Sequence, residues 1–334
     1  MEVKPKTLHD YRHLVDRHVK PRIGALRLQA VRPAQVTKLY RDLLTTGGQS
    51  GAGLSPRTVE YVHAVLRKAF RDAVAIDQLL PSNPADRSKR PRKPARERGQ
   101  IWTARQLRLF LDVAKTHRLF AFYHLAAYTV ARRGELLNLR WRDIDLASAE
   151  VHISGSTAVV GGRRIEGTTK SGRSRTVSID EGTVQVLRDH RARQAEERLT
   201  AGSQWTGSDQ YVFTTSWSGP VHPDTVSSLM TDLIKANNTA MRSGGGELLP
   251  HARLHDLRHL HATTLLLAGV PVHVVAARLG HADPSVTLRV YAHVIRDQVA
   301  EAADVFARSI SAADAAAVSK SVSKRALAER AKGR

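Results

Sequence analysis

Three stretches of this chain gather side chains suited to holding and attacking a phosphate. The first is ARRGELLNLRWRDID, Ala131–Asp145. Arg132 stands at the start of a helix, where the macrodipole favours an anion over a cation. A phosphate bound there would relieve that conflict, and Glu135 can pair with a neighbouring arginine. The second stretch is HDLRHLH, His255–His261. A spacing of three puts His255 and Arg258 on one helical face. A guanidinium beside an imidazole holds phosphate through charge-assisted hydrogen bonds. His255 and His259 are four apart, which also fits a zinc-binding helix. Against zinc, Arg258 would repel the metal, Asp256 replaces the glutamate that usually follows the first histidine, and no third ligand is evident. The third stretch is RLGHADPSVTLRVYAHV, Arg278–Val294. Gly280 is a natural helix-ending residue, so His281 projects from a fixed helix end. Asp283-Pro284 caps the next helix. In that helix Val286 and Val290 mark the expected buried stripe. Tyr291 is one position off it, either as a packing aromatic or with its hydroxyl facing a cleft.

The elements around these stretches have to bring them together. At 334 residues the chain is long enough for about two domains. The first 80 or so residues read as helical. Val36, Leu39, Tyr40, Leu43 and Leu44 recur at helical intervals, and Ser55-Pro56 opens a helix striped by Val59, Val62, Leu66, Ala69 and Ala73. Four prolines (Pro81, Pro84, Pro91, Pro94) then stop any continuous helix. A second domain begins near Ile101. Thr103 caps a helix through Ala114, another spans Ala121 to Thr129, and one more follows Arg132 through Leu139. Val151-His-Ile153, the Gly161-Gly162 turn and Arg175–Ile179 predict a small antiparallel sheet. Helices return after Asp180. The expected organisation is a helical domain over 1–85, a basic linker over 86–100, a mixed α/β domain over 101–305 and an Ala/Ser/Lys-rich tail over 306–334. The fold class is mainly α with a small antiparallel β-sheet.

The charge balance narrows the partner. Fifty-two Lys and Arg against 31 Asp and Glu give a net charge of +21, costly to compact unless a polyanion shares the surface. Nucleic acid is the first candidate and an anionic membrane the second. Aromatics are only 5% of residues, which favours duplex backbone binding over base stacking on single strands. Arg87, Lys89, Arg90, Arg92 and Lys93 make the proline-stiffened linker a candidate to lie along phosphates. With no cysteine, disulfides and thiolate-ligated metals are excluded. The most apolar run, 262–277, is broken by Gly269, Pro271 and His273 and is too short to span a bilayer.

Taken jointly and in order, these motifs resemble the tyrosine recombinase (phage integrase) family. In tone the chain is closest to integrases of actinobacterial phages and integrative elements. RRGELLNLRWRDID is similar to the family's first arginine motif, and LHDLRHLHAT and RLGHADPSVTLRVYAHV to its two C-terminal motifs. The resemblance covers nearly the whole chain, and the helical N-terminal part looks like the family's core-binding domain. It implies Arg132, Lys170, His255, Arg258, His281 and Tyr291 as catalytic residues. Lys170, in GTTKSGRSRTVSID, is the only lysine between Lys115 and Lys235. One departure concerns the residues before the first arginine. The family usually has Gly then Leu or Met there, and here stand Val130-Ala131, which bears on the turn presenting Arg132 and leaves Arg133 as an alternative.

The resemblance implies a site-specific DNA recombinase, most simply an integrase. Arg132 and Arg258 would offset the charge that builds on a five-coordinate phosphorus, and Tyr291 would form a covalent 3′-phosphotyrosine. Lys170 would protonate the departing 5′-oxygen, His255 would act as acid/base toward the tyrosine or the incoming hydroxyl, and His281 would hydrogen-bond the phosphate. No cofactor and no metal is required. The expected partner is double-stranded DNA carrying specific sites, gripped by two domains with the linker crossing it. Four protomers would act together, with an accessory bending or directionality factor possible. The setting would be cytoplasmic and nucleoid-associated. No arm-binding domain is evident before VKPKTLHDYRHLV. A type IB topoisomerase shares the chemistry, and a DNA-binding factor with a degenerate site is the non-enzymatic alternative. The close spacing of His281 and Tyr291 favours the recombinase.

Overall fold

The computed structural model describes residues 3–48, 51–90, 101–205, 207, 210–281 and 283–291. The chain divides into two compact units, Met1–Gly99 with Ala158–Ile165, and Gln100–Thr157 with Glu166–Arg334.

In the first unit, proline sits in the first turn of four helices, where its missing N–H is no loss. These are α1 (Pro5–Leu14), α2 (Lys20–Ile23), α3 (Pro33–Thr46) and α4 (Pro56–Ala75). A π-helical stretch, Val15–Val19, joins the first two. As the sequence suggested, Ser55 caps α4, its Oγ accepting from the Thr58 amide at 3.2 Å. Val36, Leu39, Tyr40 and Leu43 of α3 are buried with Val59, Val62, Leu66 and Phe70 of α4. Each such side chain contributes roughly 1.5–3 kcal/mol by leaving water. The Tyr40 hydroxyl meets His63 Nδ1 at 2.8 Å and ties the two helices together. Packing continues beyond residue 85: Ser88 is buried and the Lys89 amide donates to Thr37 Oγ1 at 3.0 Å. Arg87, Lys89 and Arg90 are exposed. Arg92, Lys93 and the 306–334 tail lie outside the described residues.

The second unit is built around α6 (Phe120–Thr129), which is buried on nearly every side and therefore carries no polar face. Against it lie α5 (Ala104–Ala114) and α8 (Glu181–Ala201), with α9 (Pro223–Gly244), α10 (Leu254–Leu267) and α11 (Val272–Leu279) completing the shell. Residues 284–291 form a further helix, α12. Thr103 and Gln106 make a reciprocal capping box at α5. Strands β1 (Ile144–Asp145), β2 (Glu150–Ile153) and β5 (Arg175–Ser178) pair antiparallel in that order, with Val151 opposite Val177. Strands β3 (Gly155–Val160) and β4 (Arg163–Thr168) form a separate pair. Both turn glycines, Gly161 and Gly162, take positive φ (56° and 76°), as a two-residue type I′ hairpin requires.

Two local expectations are corrected. The helix expected from Arg132 through Leu139 is only α7 (Arg133–Leu136). The chain leaves it because Leu139 O accepts from the Val212 amide and the Trp141 amide reaches Gln210 O; pairing with a distant segment overrides local helical periodicity. In α12 the buried face is not Val286–Val290. Those residues are 39% and 43% exposed, whereas Tyr291 is 3% exposed and Thr287 is fully buried. Tyr291 therefore lies on the packed stripe.

Candidate active site

Arg258 is the centre of the arrangement. It is 4% exposed, and each terminal nitrogen donates to a backbone carbonyl: Nη1 to Val130 O, Nη2 to Leu279 O. Nη2 also lies 3.3 Å from His281 Nε2. One guanidinium thus joins the turn before Arg132, the end of α11 and the histidine after it. Burial, then the charges of Arg132 and Arg175, push its pKa down to about 9, still leaving it charged at neutral pH.

The turn that carries Arg132 is unusual. Val130 closes α6 in the left-handed region, φ 53° and ψ 14°, a conformation disfavoured for a β-branched residue. Its side chain is buried with Ala262, Leu266, Val275, Leu279 and Tyr291 in a small apolar cluster of their own. The Val130-Ala131 departure therefore keeps the left-handed turn that glycine adopts easily, at a steric cost. Arg132 follows as the N-cap of α7. The conflict with the helix dipole is met from inside the protein. Glu135 Oε2 accepts from the Arg132 amide at 2.9 Å, and Oε1 pairs with Arg132 Nη1 at 2.7 Å.

Glu135 also holds Arg175 Nη2 at 2.7 Å. Its side chain is fully buried, which alone would raise its pKa, but the Arg175 hydrogen bond and charge, then Arg132, bring it below the usual carboxylate value. Arg175 Nε in turn donates to Arg278 O at 3.2 Å and fixes the last turn of α11. Gly280, at φ 64°, packs so tightly on Arg175 that an added Cβ would approach its Nη1 to 2.8 Å. Glycine is needed there for both conformation and space. Arg132, Arg175 and Arg258 thus carry three positive charges against one buried carboxylate. This excess suits an incoming anion.

The histidines respond to the same field. His281 is held down to about 4 by burial and then by Arg258, Arg132 and Arg175. Its Nδ1 meets Thr287 Oγ1 at 2.7 Å, which orients the ring. His255 is also pushed down to about 4, by loss of solvent around the ring and then by His259 and Arg258. Its ring packs edge-on against His259, centroids 4.9 Å apart. The Tyr291 hydroxyl lies 2.9 Å from His259 Nδ1. Burial raises the phenol to about 12, with Arg258 pulling the other way.

The structure therefore brings together Arg132, His255, Arg258, His281 and Tyr291. Lys170 stands apart from these contacts, exposed in the turn between β4 and β5. That turn is held by Thr169 Oγ1 donating to Arg173 O at 2.7 Å. Arg175, Thr287 and His259 were missed from sequence. Arg175 reads as an ordinary strand residue, and Thr287 as a polar position on a capped helix. His259 was visible only as half of a zinc pair. Among the described residues no group of three or more His, Asp or Glu side chains could hold a metal.

Three arginines braced by one buried carboxylate, with a buried tyrosine nearby, are set in a mostly helical unit, an arrangement suited to holding a phosphate. Comparison with known proteins gives the family. The phage integrase family model matches residues 100–297, and the phage integrase N-terminal SAM-like domain matches residues 1–44. The chain belongs to the phage integrase family. It is similar to the tyrosine recombinase XerC-like protein of Caldanaerobacter subterraneus, 29% identical over 322 residues, covering 91% of this chain and 78% of that one. It is 28% identical to an integrase of Streptomyces ambofaciens over 301 residues, covering 87% and 72%. Its fold matches that of the Tn1549 transposon integrase in complex with transposon right end DNA, with a TM-score of 0.73, 19% identity and coverage of 90% and 95%. The chain is a site-specific DNA recombinase of the tyrosine type, which cuts and rejoins DNA strands. Among the described residues no helix is long and apolar enough to cross a membrane.

Proposed function

We propose that the five clustered residues and Lys170 carry out strand cleavage, with Tyr291 as nucleophile. The observation that carries this reading is Arg258, whose buried guanidinium joins the Val130 turn, the α11 end and His281. Arg132 and Arg258 receive the non-bridging oxygens, and preorganised charge of this kind stabilises the transition state without rearrangement. His281, neutral and aligned by Thr287, hydrogen-bonds the phosphate. His255 serves as acid/base toward the incoming sugar hydroxyl during rejoining. Lys170 protonates the departing 5′-oxygen from its turn.

Exchange between two duplexes breaks four strands. One tyrosine per chain then calls for four protomers on the DNA. The helical 1–85 domain, the 101–305 catalytic domain and the 86–100 linker contact the duplex together. In the helical unit, Glu60, His63, Arg67, Lys68, Arg71 and Arg90 line one cleft, whose three arginines and lysine supply cations for backbone phosphates. Setting these contacts in the cytoplasm on the nucleoid, with an accessory bending or directionality factor, completes the reading.

A nicked suicide substrate tests it. Wild type accumulates a covalent adduct that maps to Tyr291. Tyr291→Phe binds DNA within about twofold of wild type and forms no adduct, because only the attacking oxygen is gone. An adduct mapping to any other residue refutes the assignment.

A further inference from the structure

We propose that His259, and not His255, takes the proton from Tyr291 as its oxygen attacks phosphorus. This deepens the reading above and rests on Tyr291 being the nucleophile. The phenol is buried, and its pKa of about 12 leaves on the order of 10⁻⁵ of it ionised at pH 7. Attack at a useful rate therefore needs a proton acceptor within hydrogen-bond reach. His259 Nδ1 is at 2.9 Å from the hydroxyl. His255 makes its ring contact with His259 instead.

The transfer requires one tautomer. For Nδ1 to accept the phenolic proton, the neutral ring carries its own proton on Nε2. In the step itself the Tyr291 oxygen forms a bond to phosphorus and the bond from phosphorus to the 5′-oxygen breaks. The phenolic proton passes to His259 Nδ1, and the 5′-oxygen takes a proton from the general acid. Rejoining runs the transfers in reverse, so no oxidant, metal or other reagent is consumed. Among the groups that act on His259 are His255 and Asp256 on its own helix, His281 beyond α11 and Tyr291 on α12. Of these, His255 and His281 are held neutral at pH 7, and the Tyr291 hydroxyl is the group within hydrogen-bond reach of His259 Nδ1.

The test is single-turnover cleavage of the nicked suicide substrate by the full chain, measured from pH 5.5 to 9.5. His259→Gln keeps a polar side chain at the position but cannot become a cation. It should form the Tyr291 adduct about 10²–10⁴-fold more slowly at pH 7, with DNA affinity unchanged. Its rate should climb steadily with pH where wild type levels off. Replacing Tyr291 with a fluorinated, more acidic tyrosine should restore much of the rate in His259→Gln, raising it by a larger factor there than in a chain that keeps His259. His259→Ala, checked for folding by circular dichroism, should behave like His259→Gln. A His259→Gln rate within threefold of wild type overturns the inference, as does a slow rate that neither high pH nor the fluorinated tyrosine improves. Loss of the adduct in Tyr291→Phe alongside either result leaves the nucleophile assignment standing. An adduct that survives Tyr291→Phe removes both.

Discussion

Replacing Val130 should reverse the usual ranking of small residues. Val130 is 1% exposed and sits at φ 53°. Val130→Ala deletes two buried methyl groups, a loss of roughly 1–3 kcal/mol with its residual cavity. The alanine still has a Cβ in the left-handed region, where that atom crowds the following carbonyl at a cost of about 1–2 kcal/mol. Val130→Gly deletes one carbon more, worth about 0.8 kcal/mol of burial, but removes the crowding altogether. Elsewhere glycine is less stable than alanine by roughly 0.5–1 kcal/mol. Here Val130→Gly should equal or exceed Val130→Ala by up to about 1 kcal/mol, with both below wild type. Urea titration of the full chain, followed by near-ultraviolet circular dichroism, reads the order from the midpoints. The carbonyl that receives Arg258 survives in both variants. Adduct formation should therefore fall only modestly, through looser seating of Tyr291 in the shared cluster. Alanine outranking glycine by about 0.5 kcal/mol or more would refute a left-handed residue 130, and with it the stated geometry of the turn before Arg132.

Three further outcomes are expected. Raising salt from about 50 to 200 mM should weaken duplex binding by roughly 10³-fold or more if six or more phosphates are contacted; a flat response in a filter or anisotropy assay contradicts phosphate-dominated binding. Lys170→Ala should slow cleavage and be rescued by a substrate with a 5′-bridging sulfur, which leaves without a proton; rescue of Arg258→Ala instead would move the acid elsewhere. His255 and His281 titrate near 4 in the folded protein, below the ordinary 6.5. Between those values the unfolded chain binds more protons, so their contribution is complete above about pH 6.5 and is lost as pH falls toward 4. The melting temperature of DNA-free protein should drop from pH 7 to pH 5, and the drop should shrink in a His255→Asn, His281→Asn double variant; an identical drop in both proteins contradicts the shifted values.

The sequence made some parts of this molecule legible and hid others for identifiable reasons. Caps are local, so Ser55, Thr103 and Gly280 could be read from neighbours alone. The Gly161-Gly162 hairpin turn was equally plain, because only glycine enters that region freely. The stop of α7 after Leu136 was not legible, since it depends on pairing with Gln210 and Val212, far along the chain. In α12 two valines looked more apolar than Thr287 and Tyr291. Yet His281 and His259 satisfy the polar atoms of those two residues, so the amphipathic face turns inward. Arg175 was hidden because its partners, Glu135 and Arg278 O, come from two other parts of the chain. The clustering of Arg132, Arg258, His281 and Tyr291 was legible in motif order, but the choice of histidine next to the tyrosine needed a distance.

The small apolar cluster behind Tyr291 bears on the safety of the broken strand. Val130, Leu266, Val275 and Leu279 back the tyrosine with hydrocarbon, and the ring is 3% exposed. If the linkage proposed above forms on Tyr291, that hydrocarbon keeps water from the side of the ring it covers. Hydrolysis would release a 3′-phosphate end that no recombinase could reseal, and the chromosome would be left cut. With Tyr291 as the proposed nucleophile, its apolar seat would favour rejoining of the strand over its hydrolysis.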